Sequence, residues 1–560
     1  MTTSRHRWVR HTAVFTAALV LLATSVLGAP GPAFAASYVP ISGSGSTWSY
    51  NAIHAWQGNV AQYGMVVNYA GVGSTTGRNQ FKDGTIDWAA SDIPYGVQDG
   101  SNFDPPPNTR TFVYMPDTAG GTTFMYNLNI GTTRVTNLRL SGENVAKIFT
   151  GVLKMWNDPA IAADNPGLTL PAIKIVPVVR SDGSGSTAQF TQWMVATQGQ
   201  YWTAYCAKVG RSPCTQTSAY PTLSDSGMIA QAGDLGVAGY VGQRQAVGTI
   251  GYVEYSYAIQ AGFPVAKVLN AAGYYTEPTA GHVAVSLLKA KINMDAGNPN
   301  TYLTQDLSQV YTNSDPRTYE LSSYSYMILP TNTNLGFNTS KGYTLADFGK
   351  YLLCQGQTQV NALGYSALPI NLVQAGFDQL RKVPGQQLPS VSADFIRSCN
   401  NPTFSTDGTN TLANNDPQPQ ACDKKGPTQC TTGTGGAKTS TPVKPGAAGT
   451  SGPGGANAGT GTQGANPSAS NGAGAGASAN AACDPDSGTC DQGGTGSVDA
   501  ADQQQVPGVP VDASGDFGDT LEIILMVAAS ILLLGVGLLP PIIAQAGVRR
   551  ARRAQPGGWR

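Results

Sequence analysis

Arg180-Ser181-Asp182-Gly183-Ser184-Gly185-Ser186-Thr187 sets one cation, one carboxylate, four hydroxyls and two glycines in eight residues. A β-branched run over residues 173–179 leads into it, and Ala188-Gln189-Phe190-Thr191-Gln192-Trp193 reads as the opening of a helix. A strand that ends in a glycine-rich turn and feeds a helix is the unit of an α/β fold, whose ligands sit at the carboxyl ends of strands. The chemistry is that of an oxyanion cradle. Glycines let backbone N–H groups approach, hydroxyls and a guanidinium fork add donors, and a helix amino terminus adds partial positive charge.

Working outward, Gly183-Ser184-Gly185-Ser186-Thr187 recurs as Gly43-Ser44-Gly45-Ser46-Thr47, again before a helix-like run. A variant, Gly71-Val72-Gly73-Ser74-Thr75-Thr76-Gly77, lies between them. Val66-Val67-Asn68-Tyr69 reads as the strand entering that variant, and residues 78–81 as the helix start after it. Ile86-Asp87-Trp88-Ala89-Ala90-Ser91-Asp92 is another strand with a polar end. One such loop is read as a turn or linker, and Asp92 alone as a helix cap. Two identical copies, one beside Arg-x-Asp, turn the reading to a shared anion.

The carboxylates sharpen it. Asp182 is placed to orient Arg180. Asp92, if it faces the anion, can only accept, so it demands an anion that still carries a proton: phosphate qualifies near neutral pH and sulfate does not. An unpaired buried acceptor costs roughly 1–3 kcal/mol, which is enough to discriminate.

The 560 residues carry 12% charged residues, 68 glycines and no net charge, so nothing favours nucleic acid as a partner. Eight cysteines in a secreted context read as neighbouring disulfides: Cys206 with Cys214, Cys354 with Cys399, Cys422 with Cys430 and Cys483 with Cys490. No Cys-x-x-Cys occurs and histidine is scarce, so no metal and no cofactor are expected. Arg5, Arg7 and Arg10, an apolar run over 13–27 and Ala33-Phe34-Ala35 describe a signal peptide, residues 1–35, with cleavage expected after Ala35.

Globular texture runs from 37 to about 400. Residues 417–515 change to Gly, Ala, Ser, Thr, Pro and Asn, and are expected to be a disordered linker interrupted by two small cysteine islands. Residues 523–546 are apolar apart from Ser530 and Gln545, and a basic tail, 547–560, follows with Arg549, Arg550, Arg552 and Arg553. About twenty helical residues cross a hydrocarbon core of about 30 Å, so a single transmembrane helix is expected, with the carboxyl terminus cytoplasmic and the globular part outside. A flexible linker of this length reaches roughly 55 Å.

In family order, further motifs accompany the loops: Gly43 to Trp48 as Gly-x-Gly-x-Thr-aromatic, Asp87-Trp88-Ala89-Ala90-Ser91-Asp92-Ile93-Pro94, and Ile148-Phe149-Thr150-Gly151. Lys154-Met155-Trp156-Asn157-Asp158, Asn165-Pro166-Gly167-Leu168 and Gly248-Thr249-Ile250-Gly251-Tyr252-Val253-Glu254-Tyr255 complete the set. The chain thereby resembles the phosphate-binding proteins of the high-affinity phosphate ABC importer over about residues 41–384. The resemblance implies a two-lobed type II periplasmic-binding-protein fold with a hinge, lobe one being 37–112 and 322–400 and lobe two 113–321. It implies that Thr47, the Trp48 N–H, Ser74, Arg180, Ser184, the Gly185 N–H and Ser186 donate to phosphate, that Asp92 accepts its proton, and that Asp182 orients Arg180. An ABC permease is the implied partner.

Position 186 is Ser where many members have Thr, Trp48 is followed by Ser-Tyr-Asn, and the expected membrane helix departs from relatives that are free or lipid-anchored. Two other uses remain open: a surface sensor or adhesion module on the same fold, and an extracellular phosphatase using a loop hydroxyl. Against the phosphatase, His54 and His282 are the candidate imidazole bases of the mature chain and neither lies in a loop motif. No enzyme activity is expected.

Overall fold

The computed structural model describes residues 38–446, apart from 100–101, 224–225, 299, 391 and 406–408. The expected signal peptide, the rest of the expected linker beyond 446, the expected Cys483–Cys490 pair, the apolar segment 523–546 and the basic tail lie outside the described residues. No helix among the described residues is long and apolar enough to cross a membrane.

The elements that position the site follow in chain order: β1 (Ile41–Gly45), α1 (Tyr50–Ala61), β2 (Val67–Gly71), α2 (Ser74–Asp83), β3 (Trp88–Ser91) and β4 (Phe112–Tyr126). Then come β5 (Val176–Arg180), α3 (Gly185–Thr197), β6 (Ile229–Gln231), α4 (Gly233–Val241), β7 (Thr249–Glu254), α5 (Tyr255–Gln260) and β8 (Ser322–Pro330). They form one eight-stranded sheet in the order β6-β5-β7-β4-β8-β3-β1-β2. Within each half the outer strands are parallel, as strand–turn–helix repeats require: β1 with β2 and β3, and β5 with β6 and β7.

The two lobes meet in β4, all of whose residues are buried. Its first part, from Phe112 to Gly121, pairs antiparallel with β8, and its last part, from Thr122 to Tyr126, pairs with β7. The expected division at residue 112 therefore stands ahead of the point where the strand changes partners. Between Tyr324 and Tyr326 the register slips, so Asp117 and Thr118 oppose one residue beside Pro116. Proline has no N–H for the ladder, and a bulge is the usual accommodation.

Lobe one packs Trp56, Trp88 and Phe348 in its interior, and lobe two an aromatic knot of Phe124, Phe149, Phe190 and Tyr252. Burying each such ring contributes on the order of 1.5–3 kcal/mol, and the two groups belong to one continuous core beneath both walls. Cys206–Cys214, Cys354–Cys399 and Cys422–Cys430 are disulfides, paired as neighbours.

Two expectations are corrected. The helix after Gly73 starts at Ser74, earlier than residues 78–81, because Thr75 to Gly77 complete its first turn. The expected linker does not begin at 417: residues 417–446 are packed on lobe two, so the folded part also extends past 400. Few large apolar residues are needed there because backbone and amide bonds hold the strap. Gln429 Nε2 donates to the Asn137 carbonyl at 3.0 Å, and Arg139 Nη1 donates to the carbonyls of Cys422 and Thr428 at 3.1 and 2.9 Å. Thr434 Oγ1 donates to the Val265 carbonyl at 2.6 Å, and the Cys422–Cys430 bridge closes the loop that presents Gln429.

Candidate phosphate site

Each wall is built where strands end. After β1, Gly45 adopts φ +138° with the Ala90 carbonyl 2.1 Å from where a Cβ would stand, a place that only glycine fills. The chain then turns, and Ser46 N donates to that carbonyl at 2.9 Å. Ser46 Oγ donates to Asp92 Oδ1 and Oδ2 at 2.8 and 3.0 Å, and itself accepts from the N–H groups of Trp48 and Ser49 at 3.1 and 3.3 Å. Ser74 Oγ, at the start of α2, donates to Asp92 Oδ2 at 3.2 Å. Asp92 is 1% exposed, and burial pushes its carboxyl up to about 6 although the Ser46 and Ser325 hydroxyls pull it back.

The facing wall starts at the end of β5. Arg180 Nε donates to Asp182 Oδ1 at 2.7 Å, its Nη2 to Asp182 Oδ2, and its Nη1 to Ser186 Oγ at 3.2 Å and to Asp234 Oδ2. Asp182 Oδ1 also accepts from Gly233 N at 2.9 Å. Burial works against the guanidinium charge, but Asp234 and Asp182 outweigh it and raise its pKa; burial likewise opposes Asp182, and Arg180 outweighs it and lowers that of Asp182. Ser184 caps α3 by accepting from Thr187 N at 3.1 Å, with Ser186 Oγ 2.9 Å from its own hydroxyl.

The walls touch. Thr75 N donates to the Gly183 carbonyl at 3.0 Å, Gln189 Nε2 to the Asp92 carbonyl at 2.8 Å, and Tyr257 Oη to the Thr47 carbonyl at 2.5 Å. A Cβ on Gly185 would come within 2.5 Å of Asp92 Oδ2 and 2.6 Å of Ser74 Oγ. The start of α3 therefore lies against Asp92. The amino termini of α2, α3 and α4 come together here and turn their positive dipole ends to the same place, although Thr75 N, Gly233 N and Asp234 N are already taken by Gly183, Asp182 and Thr47.

Thr47, Trp48, Ser74, Asp92, Arg180, Asp182, Ser184, Gly185 and Ser186, the residues singled out in the sequence, are thus brought to one cleft. Three expected donors are engaged within the protein: the Ser74 hydroxyl donates to Asp92, as above, and two more are held as follows. The Trp48 N–H is held by Ser46 Oγ, and the Thr47 hydroxyl donates to Asp234 Oδ2 at 2.6 Å. Asp234 was missed. It is fully buried, takes Glu254 N on Oδ1 at 2.9 Å and donates its own N–H to Thr47 Oγ1 at 3.2 Å. Its sequence signal, Gly233-Asp234 between a short strand and an apolar helix, is that of any acidic helix start. His54 stacks on Tyr50, and His282 Nδ1 pairs with the Glu277 carbonyl at 2.8 Å. Among the described residues no cluster of His, Cys, Asp and Glu has metal-binding form.

Residues 28–355 match the PBP superfamily domain, and the phosphate-binding protein PstS of Xylella fastidiosa is 33% identical over 60% of this chain and 83% of its own. The chain belongs to the PstS family. Other PstS relatives are those of Pasteurella multocida, 31% identical over 60% of this chain and 88% of its own, and Methanocaldococcus jannaschii, 28% identical over 62% and 87%. PstS proteins are binding proteins of transport and not enzymes, and this chain shares their two-lobed α/β fold.

Proposed function

We propose that this PstS-family chain is an extracytoplasmic, membrane-tethered binding protein that captures inorganic phosphate in its cleft and serves phosphate uptake through an ABC permease. Capture is reversible hydrogen bonding without a cofactor, and hinge motion about β4 and β8 opens and closes the cleft. The observation that carries the reading is the meeting of an Arg180–Asp182 fork and a serine-rich helix start with Asp92, a buried acceptor, on the other wall. Donors on one side fit an oxyanion, and the acceptor on the other fits one that keeps a proton. The phosphate ligands are proposed to be Thr47, Trp48, Ser74, Asp92, Arg180, Ser184, Gly185 and Ser186, with Asp182 as orienter. The tether rests on the apolar segment 523–546 and the arginines after it, which place the binding domain outside and the carboxyl terminus in the cytoplasm.

Calorimetry on the purified chain tests this. Phosphate binds and sulfate does not, and binding is lost in Asp92→Ala and Arg180→Ala; a wild-type chain indifferent to phosphate ends the reading. Protease protection of a carboxyl-terminal tag in membrane vesicles tests the topology.

A further inference from the structure

Away from the cleft residues, Asp99 joins the two lobes again. Lobe one reaches out between β3 and β4: Gln98–Asp99 pairs with Asn102–Phe103, and this arm is tied back to α2 by Arg78, whose Nε donates to Asp104 Oδ2 at 2.7 Å. Lobe two reaches out after the helix Gly199–Lys208, in a loop closed by Cys206–Cys214 and pinned to α3 where Thr217 N donates to Thr191 Oγ1 at 2.9 Å. Each arm is thus fixed on its own lobe, and one carboxylate connects them. Asp99 Oδ1 accepts from Arg211 Nη2 at 2.5 Å, and its Oδ2 accepts from Ser218 N and Ser218 Oγ at 2.8 and 2.9 Å.

Arg211 with Asp99 is the one ion pair among the described residues that runs from lobe one to lobe two. Its side chains are 16% and 21% exposed, so water screens the pair only in part, and two further donors fix its geometry. Burial works against the Asp99 charge, and the donors of Ser218, Thr217 and Arg211 outweigh it and hold the carboxyl below its ordinary value. None of Asp99, Arg211 and Ser218 is a proposed phosphate ligand, yet the arm reaches one: the Ser218 carbonyl accepts from Ser184 N at 2.9 Å, at the cap of α3.

We propose that Asp99 is a positioning residue that latches the closed lobes: its bonds to Arg211 and Ser218 form as the cleft shuts, steady Ser184 through the Ser218 carbonyl, and slow the escape of phosphate. This rests on the phosphate reading above and adds what sets the rate of release. Opening about β4 and β8 carries one arm off the other and returns both charges to water, so the bonds exist only while the lobes are together. Capture starts from parted lobes, before these bonds form, and its rate does not depend on them.

The test uses the full-length chain and inorganic phosphate. Radiolabelled phosphate chased with unlabelled phosphate reads dissociation, and calorimetry reads affinity. In Asp99→Ala dissociation should quicken about tenfold and affinity should fall by the same factor, which leaves the association rate at the wild-type value. Arg211→Gln, which keeps the Ser218 bonds, should quicken dissociation about threefold and should add nothing to Asp99→Ala. Melting without phosphate should match wild type, since the latch is open there; Arg211→Gln carries the test if Asp99→Ala melts lower by itself. Arg381→Gln, at an exposed ion pair within lobe one, keeps the wild-type rates. Wild-type dissociation in both latch variants, an affinity loss that lies in association, or lowered melting of both without phosphate overturns the latch while phosphate binding stands. A wild-type chain that binds no phosphate takes down both readings.

Discussion

The same five residues, Gly-Ser-Gly-Ser-Thr, are used in two ways on facing walls. At residues 43–47 the first three belong to β1, and the serine and threonine that follow are delivered past the strand end, to Asp92 and Asp234. At residues 183–187 the helix begins at the second glycine, so the first serine becomes the cap and the threonine is drawn inward to Tyr252, 2.7 Å away. Ser44 bonds Gln80, whereas Ser184 caps a helix; Ser46 serves a carboxylate, whereas Ser186 serves a guanidinium. The pentapeptide supplies hydroxyls and backbone freedom, and the element it joins decides which hydroxyl reaches the cleft.

The third residue of each copy gives the largest separation. Gly185→Ala places a methyl between the walls, and phosphate affinity should fall at least about 100-fold in calorimetry while melting stays near wild type, alanine being well tolerated in a first helical turn. Gly45→Ala forces a positive φ on a residue with a side chain and meets a backbone carbonyl, so it should cost roughly 1–3 kcal/mol or more of stability, read as a lowered melting temperature. Equal effects from the two would break the comparison.

The fourth residues face opposite charges, so only the first wall should titrate. Burial raises Asp92 to about 6, so the carboxylate that must accept a proton exists only above that pH. Phosphate affinity is predicted to drop by about tenfold per unit as pH falls below 6, and Asp92→Asn should remove that limb. The fifth residues should then split binding from stability. Thr47→Val weakens phosphate binding about tenfold near neutral pH with little change in melting, whereas Thr187→Val lowers stability by about 1 kcal/mol and leaves affinity alone. The second positions differ too: Ser184→Ala removes a cap worth about 1 kcal/mol together with a proposed phosphate ligand, and Ser44→Ala, a strand serine, should cost less and leave affinity alone, read by denaturant unfolding and calorimetry.

Much of this was legible because local chemistry is written locally. Arg180 with Asp182 is two residues apart, and Ser184 announces its helix. Asp234 was not legible, because its meaning is a contact with Thr47, 187 residues away in the chain. The strap 417–446 was misread for a related reason. Its composition lacks the apolar area that signals a core, and its anchorage comes from Gln429 and Thr434 meeting lobe-two backbone that no local pattern discloses.

The loop at Arg180 thus had its strand, its helix and its fork settled by the sequence alone, since each follows from neighbours within a few residues. Tertiary structure decided what faces it: Asp92 against the start of α3, Asp234 on the guanidinium, and the Thr47 hydroxyl bonded to Asp234. Hydrogen bonding is directional and a hydroxyl has one proton to give, so the role of Thr47 is fixed only when the other lobe brings its partner.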